Sequence, residues 1–379
     1  MGWWVVAGKG EAMIDLFRPI AEACSIQVRP DQRRRIALVG AGVIADVAHL
    51  PAYRRGGLEV VGITDLDLDR AREVADRHGI ERVYDDLDAL LADDAVQVVD
   101  VAVTASAQPA IARRILGSGR HMLGQKPFAP SSAIARELAD LADAKGTVLA
   151  VNQQMRYDEG MAAAHRMMEL GWLGQITSMT IKVDVWTDWS AWPWICELDE
   201  VELWVHSIHY HDLVRFFLGE PESVYGVAGR TPGQLPRGET RTITTYRFAG
   251  GARALVTANH ENSWGDDSAT FRLEGDHGAV RGTLGILYNY PSGRPDTLEV
   301  VSDRLPTDGW VPYPVTTRWI PDAFLGPMAS VLAAVSGGPP PLTSARDNVS
   351  TLALVEAIYR SMRSGRAEAP SPAGQPAPE

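Results

Sequence analysis

The chain has 379 residues, a length that favours two domains. It is 45% hydrophobic and 22% charged, enough apolar content for a sizeable core and too much for compositional disorder. Its net charge of -12, with no block of Lys or Arg, argues against nucleic-acid or anionic-membrane partners, whose phosphates need clustered cations. The only basic run, Arg33 to Arg35, reads as solvating the approach to a strand. Two cysteines, Cys24 and Cys196, cannot form a disulfide framework, so a reducing compartment is expected. No apolar run approaches the roughly 20 residues that span a bilayer. The Met-Gly-Trp-Trp start lacks the basic segment of a secretory signal. A cytoplasmic location follows as the expectation.

Residues 1–32 form an extension ahead of the first strand. Its apolar stretch, Met13 to Ala23, carries Ile14, Leu16, Phe17 and Ile20, but Pro19 predicts that no long helix forms. Packing on this chain's core and an arm laid on another subunit both fit. Residues 33–152 alternate β-branched runs with helical patterns. Strands are predicted at Ile36–Val39, Leu58–Thr64, Val96–Val103, His121–Gly124 and Thr147–Val151. Helices are predicted near Val43–Arg55, Asp67–His78, Asp86–Ala92 (capped by Asp85), Pro109–Gly117 and Ser131–Lys145. Strand–helix alternation at this spacing means parallel strands with right-handed crossovers, hence a doubly wound Rossmann sheet.

The first strand runs into Val39-Gly40-Ala41-Gly42-Val43-Ile44-Ala45, of the form G-x-G-x-x-A. In such a turn Gly40 permits the tight bend, Gly42 lets the backbone approach a pyrophosphate, and the helix N-terminus beginning at Val43 and Ile44 faces the anion. The second strand ends at Asp65, near the expected distance of about 20 residues beyond the glycines. A carboxylate there accepts ribose hydroxyls and repels a 2′-phosphate, and Leu66 follows where a phosphate binder would offer Arg or Ser. NAD is therefore favoured over NADP. The bland alternative is a glycine turn with Asp65 as a helix cap. Thr104, beyond the third strand, joins the cofactor set. The fourth strand ends in Gly124-Gln125-Lys126-Pro127. Parallel sheets bind ligands beyond the carboxyl ends of their strands, so Lys126 is aimed at the crevice. Desolvation beside a cationic ring would lower its pKa and let it exchange a proton with a substrate hydroxyl.

Residues 153–366 are predicted to form a substrate-binding and oligomerisation domain of α+β type, with a mostly antiparallel open sheet between Ser223 and Tyr288. Helices are expected at Asp158–Leu170, Glu202–Leu218, Asp322–Val335 and Arg346–Ser364, and a strand at Gln175–Trp186. The Pro/Ala-rich tail, 367–379, is expected to be disordered.

The chain resembles the Gfo/Idh/MocA family, named for glucose–fructose oxidoreductase and inositol dehydrogenase. The resemblance spans about residues 34 to 364. It rests on Gly40-Ala41-Gly42, His49-Leu50-Pro51-Ala52, Asp65, Gln125-Lys126-Pro127, Asn152 to Tyr157, Ser207-Ile208-His209-Tyr210-His211-Asp212 and Leu218-Gly219-Glu220-Pro221. It implies an NAD(P)-dependent oxidoreductase in which Lys126 and His209 handle the substrate proton; His209 is expected as proton donor and acceptor, with Lys126 polarising the same oxygen. Two departures stand out. Gln125 replaces the family's usual Glu, although its amide can still contact the nicotinamide ribose. Val205 stands where the family often has Asp. Asp212, one helical turn after His209, is the expected replacement partner that fixes the His209 tautomer, with His206 on nearly the same face.

His206-x-x-His209-x-His211 invites a metal reading, but on a continuous helix His209 and His211 point about 200° apart, and no metal site is expected. The tryptophans Trp186, Trp189, Trp192 and Trp194, with Asp184 and Asp188 interleaved, suit the apolar face and hydroxyls of a sugar. Trp189, Asp188, Arg156, Tyr157 and His206 are the substrate candidates. The reading is a dehydrogenase of a sugar, sugar derivative or cyclitol, working as a homodimer or homotetramer through the C-terminal sheet. An NAD-dependent glycosidase with transient sugar oxidation and a non-catalytic dinucleotide sensor are the competing readings.

Overall fold

The computed structural model describes residues 15–288, 290 and 293–370. The first element among the described residues is a helix over residues 15–24 (α1), running through Pro19. Phe17 and Ile20 are fully buried, and Phe17 packs against Trp172 and Tyr313. Burial of one apolar face thus overrides the proline, and α1 belongs to this chain's own core. Met13 and Ile14 lie outside the described residues.

The first sheet is built from β1 (Ile36–Val39), β2 (Val60–Thr64), β3 (Val98–Val101), β4 (His121–Gly124) and β5 (Leu149–Val151). All pairings are parallel, in the order β2-β1-β3-β4-β5, and a parallel bridge between Ile63 and Val83 extends the edge beyond β2. The strand order reverses between β1 and β3. In open parallel sheets a ligand crevice forms at that point, beyond the carboxyl ends. The connecting helices are α2 (Leu50–Arg55), α3 (Leu68–His78), α4 (Leu87–Ala92), α5 (Gln108–Gly117) and α6 (Ser132–Lys145). Asp67, Asp86 and Ser131 cap three of them by accepting backbone N–H groups. The cap of α4 is Asp86 itself rather than Asp85. Ahead of α2 the chain makes a wider π turn over Ala45–His49, where the Leu50 N–H reaches back to the Ala45 carbonyl. Pro51 has no N–H with which to continue a regular ladder there.

The second layer begins with α7 (Glu159–Glu169) and β6 (Ile176–Asp184). After a short helix α8 (Pro193–Cys196), the predicted helix at 202–218 is broken into α9 (Glu202–Val205) and α10 (Ile208–Leu218). Strands β7 (Ser223–Gly229), β8 (Arg241–Arg247), β9 (Arg253–Asn259), β10 (Ser268–Gly275), β11 (Gly278–Thr283), β12 (Thr297–Ser302) and β13 (Val311–Tyr313) complete an eight-stranded sheet. Its order is β13-β12-β11-β10-β6-β9-β8-β7, antiparallel except for β6 with β9. Burial alternates strictly along β8 and β9, so one face packs inward and the other is open.

Two last helices tie the layers together. From α11 (Leu325–Val335), Leu325, Met328, Val331 and Leu332 pack on Ile36, Val98, Leu123 and Ala150 of the first sheet. One face of the dinucleotide unit is thus closed by a helix from near the end of the chain. Helix α12 (Ala345–Ser364) lies against α6 and β7. Beyond it Glu368 exchanges backbone hydrogen bonds with Val224, so the expected disorder does not begin at residue 367. Residues 371–379 lie outside those described. Among the described residues no helix is long and apolar enough to cross a membrane.

Candidate active site

The glycine turn leaves β1 at the switch point. Gly40 has φ 104°, and a Cβ there would meet the Ala102 carbonyl oxygen at 2.5 Å, so only glycine fits. A Cβ on Gly42 would meet nothing within 4 Å. Val43 is exposed beside it, Ile44 half-buried, and Thr104 is exposed at the end of β3. The turn therefore presents bare backbone to open space, the cradle that a pyrophosphate requires.

Asp65 accepts hydrogen bonds from the Ala41 and Asp67 N–H groups at 2.7 and 2.8 Å and from Arg70 at 2.6 Å. Burial pushes its pKa up, but these three donors outweigh it and hold the carboxyl below its ordinary value. A carboxylate is thus fixed at the edge of the glycine turn. Arg70 beside it is a cation that the sequence reading missed.

Lys126 lies beyond β4, after a turn in which the Lys126–Pro127 peptide is cis. Gln108, at the start of α5, holds this turn by donating to the Gln125 and Pro127 carbonyls at 2.7 and 2.9 Å. The Gln125 side chain does not face the crevice as expected. Its amide nitrogen contacts His49 Nε2 at 3.0 Å and its oxygen accepts the Lys126 N–H at 2.7 Å. Buried His49 in turn contacts Asp100 at 2.7 Å, which also accepts from Tyr53 at 2.6 Å, and Asn152 closes the network at 3.2 Å. This network anchors the residue that precedes Lys126.

The Lys126 ammonium donates to the Val205 carbonyl at 2.7 Å. That carbonyl is free because of the break between α9 and α10. The His209 N–H bonds to the His206 carbonyl, whereas in a continuous helix it would take that of Val205. Burial lowers the Lys126 pKa to about 8. Burial, then the nearby Lys126 charge, holds His209 well below the usual histidine range. The same happens to His206, through burial followed by His260, Lys126 and His209. A lysine poised near neutrality thus shares one pocket with neutral imidazoles. His209 packs edge-on against buried Trp319 with ring centres 5.2 Å apart, and its Nδ1 has no hydrogen-bond partner.

Four expected site residues sit elsewhere. Asp212 does not reach His209; both its oxygens take Arg156, at 2.6 and 2.7 Å, and Thr351 adds a bond at 2.7 Å. The one-turn spacing on α10 is real, but a buried guanidinium outcompetes the imidazole for the carboxylate. Arg156 is correspondingly committed to Asp212 and Asp347. Tyr157 packs against Gly326 and, with Arg156, borders a different hollow lined by Cys24, His165, Phe216 and Leu342. Asp188 is exposed and caps a turn through Ser190. By contrast Trp189 is buried, donates to Glu261 at 2.8 Å and lies edge-on to His206 at 5.3 Å. Trp186 and Trp194 are exposed whereas Trp189 is buried, so the aromatic cluster is not one surface. His260, beyond β9, is buried and stacked on His206 with ring centres 4.4 Å apart.

A doubly wound sheet with a glycine cradle, an acid at the second strand and a half-buried lysine at the fourth defines a dinucleotide-dependent oxidoreductase. Residues 34–153 match the oxidoreductase family with an NAD-binding Rossmann fold, and residues 161–281 match the GFO/IDH/MocA C-terminal domain. The chain belongs to the Gfo/Idh/MocA family. It is 27% identical over 347 residues to a D-apiose dehydrogenase of Paraburkholderia graminis, covering 88% of this chain and 89% of that one. It is 25% identical over 335 residues to D-xylose 1-dehydrogenase (NADP(+)) 2 of Haloferax volcanii, covering 87% and 98%. Among solved structures, an oxidoreductase from Agrobacterium radiobacter in complex with NAD+, L-tartaric acid and magnesium superposes with a TM-score of 0.80. The two are 25% identical, with 89% of this chain and 98% of that chain covered.

Proposed function

We propose that this chain transfers hydride between NAD and a secondary alcohol carbon of a sugar, sugar derivative or cyclitol. The observation that carries the reading is Lys126, half-buried beyond the carboxyl end of β4 with its pKa near 8 and adjoining His206 and His209. A group that changes protonation near neutrality is matched to proton transfer at a hydroxyl. The relatives' names, D-apiose and D-xylose dehydrogenases, support a sugar as the substrate class.

Gly40, Gly42, Val43, Ile44, Asp65 and Thr104 would hold the dinucleotide, whose nicotinamide ring accepts or returns the hydride. Lys126 takes the hydroxyl proton during oxidation and returns it during reduction. His209 is too weak a base for that task in its buried setting; as a neutral imidazole it orients the same oxygen by a hydrogen bond. This reverses the roles expected from sequence. Trp189 backs His206 at the wall of the pocket. Asp65 favours NAD, since its carboxylate repels a 2′-phosphate. Arg70 offsets part of that repulsion, so the preference is finite.

Tyr225, Val227 and Ile243 are exposed on the open face of the second sheet, which supports pairing of two copies through that face.

The test is to supply the purified chain with NAD+ or NADP+ and a panel of aldoses, including apiose and xylose, glycosides and inositols, following the absorbance of reduced nicotinamide. Reduction of NAD+ by at least one member is expected. No reduction of either cofactor, with no dinucleotide binding by calorimetry, would overturn the reading.

A further inference from the structure

Beside Lys126 stands a cluster that the proton transfer does not use. Glu202 on α9, His206 at the break after it and His260 beyond β9 each offer one ligand atom, all within 4.8 Å of one another. Glu202 and His260 are almost completely buried, at 0% and 2% exposure. His260 Nε2 is 3.3 Å from Glu202 Oε1 but is not aligned for a hydrogen bond, and His206 Nδ1 is also unpartnered. Buried polar nitrogens without partners are rare, because leaving one bare forfeits its hydrogen bonds to water.

We propose that Glu202, His206 and His260 bind a divalent cation, with zinc the best match. Two imidazoles and one carboxylate are the donor set of an open zinc site, which leaves a fourth position for water or substrate. Two ligands about 2.0–2.2 Å from a tetrahedral zinc lie about 3.3 Å apart, the spacing between His260 Nε2 and Glu202 Oε1. The supporting contacts are in place as well. The Thr187 hydroxyl is 2.8 Å from His260 Nδ1. Accepting the Nδ1–H there leaves the Nε2 lone pair free. Ser207 and Thr242 donate to the Glu202 carboxylate and fix its direction. The break in the helix makes the set possible, because His206 no longer shares a helical face with His209 and can stack on His260. The charge opposing the cation is Lys126, which is partly neutral near pH 8.

A cation held there would stand beside Lys126 and could grip an oxygen of the substrate. That consequence rests on the proposed dehydrogenase reading, whereas binding of the metal does not. The test is zinc content after gel filtration of the full chain, stripped by a chelator and reloaded with zinc. Visible absorption of the cobalt-substituted protein reports the geometry. One zinc per chain is expected, with an affinity at least about 10-fold weaker in His206→Ala, His260→Ala and Glu202→Gln. NAD binding, measured alongside, shows that each variant is folded; if His260→Ala is not, half-buried His206→Ala decides. Wild-type protein that holds no stoichiometric zinc, or folded variants that hold it as tightly, would overturn the proposal. Stripped protein that reduces NAD+ with a sugar as fast as the reloaded protein would overturn the cation's grip on substrate while leaving the dehydrogenase reading intact.

Discussion

The Nζ of Lys126 donates to the main-chain carbonyl of Val205 at 2.7 Å. Position 205 holds a valine, and the backbone meets the lysine in place of a charged side chain. A carbonyl holds an ammonium through a dipole, without the full charge that would raise the lysine's pKa. Burial is then free to lower it, to about 8.

A pH profile follows from that relationship. Lys126 has its pKa depressed, so it is an ammonium below about pH 8 and a free amine above. Alcohol oxidation needs the amine, and its rate is expected to rise with pH through about 8 and then level. Carbonyl reduction needs the ammonium and is expected to fall over the same range. Val205→Asp would place a carboxylate beside the amine and move both midpoints upward. Steady-state rates in both directions check this, and profiles flat across that range would rule out Lys126 as the titrating group.

The two glycines of the turn should separate folding from binding. Gly40→Ala combines a positive φ with a clash on the Ala102 carbonyl. It is expected to cost about 1–3 kcal/mol or more of stability in denaturant unfolding. Gly42→Ala adds a methyl to open space and should unfold like the wild type. Calorimetry should find its NAD affinity weakened at least about tenfold, because the methyl occupies the path of the pyrophosphate. Equal NAD affinity would move the phosphate site away from this turn.

Asp212 is a structural group on this account. Asp212→Ala leaves the Arg156 guanidinium buried with only the partly exposed Asp347 against it. A loss of about 3–5 kcal/mol in unfolding free energy is expected. The pH profile of the surviving folded enzyme should not move. A stable variant with a shifted profile would instead return Asp212 to the site, beside His209.

Cofactor choice should turn on Asp65 and Arg70. Asp65→Ser removes the carboxylate that repels a 2′-phosphate and frees Arg70, which it now binds at 2.6 Å. The ratio of kcat/KM for NAD over NADP should fall by roughly 10-fold or more, on the order of 1.4 kcal/mol. Arg70→Ala should move the ratio the other way. An unchanged ratio in both would mean that the ribose lies elsewhere.

Much of this arrangement was legible in the sequence because its signals are local. β1 and β4 fall where their β-branched and apolar runs end, and the glycine turn, Asp65 and Lys126 each follow a strand at fixed spacing. The illegible parts depend on contacts between distant segments. The break at His206 is compatible with helix propensity; what distinguishes it is a lysine 79 positions earlier reaching the Val205 carbonyl. The engagement of Asp212 with Arg156 spans 56 positions, which no helical-face argument can see. Glu202 and His260 carry no motif at all, and Pro19 misled because the buried faces of Phe17 and Ile20 outweigh one lost hydrogen bond.

The central claim is that Lys126 moves the proton while the dinucleotide is held independently of it, and Lys126→Met tests both halves in one preparation. With a substrate found in the panel, the variant should form reduced nicotinamide roughly 10²–10⁴-fold more slowly than wild type, while calorimetry returns an unchanged affinity for NAD. A variant that turns over at the wild-type rate would contradict the account.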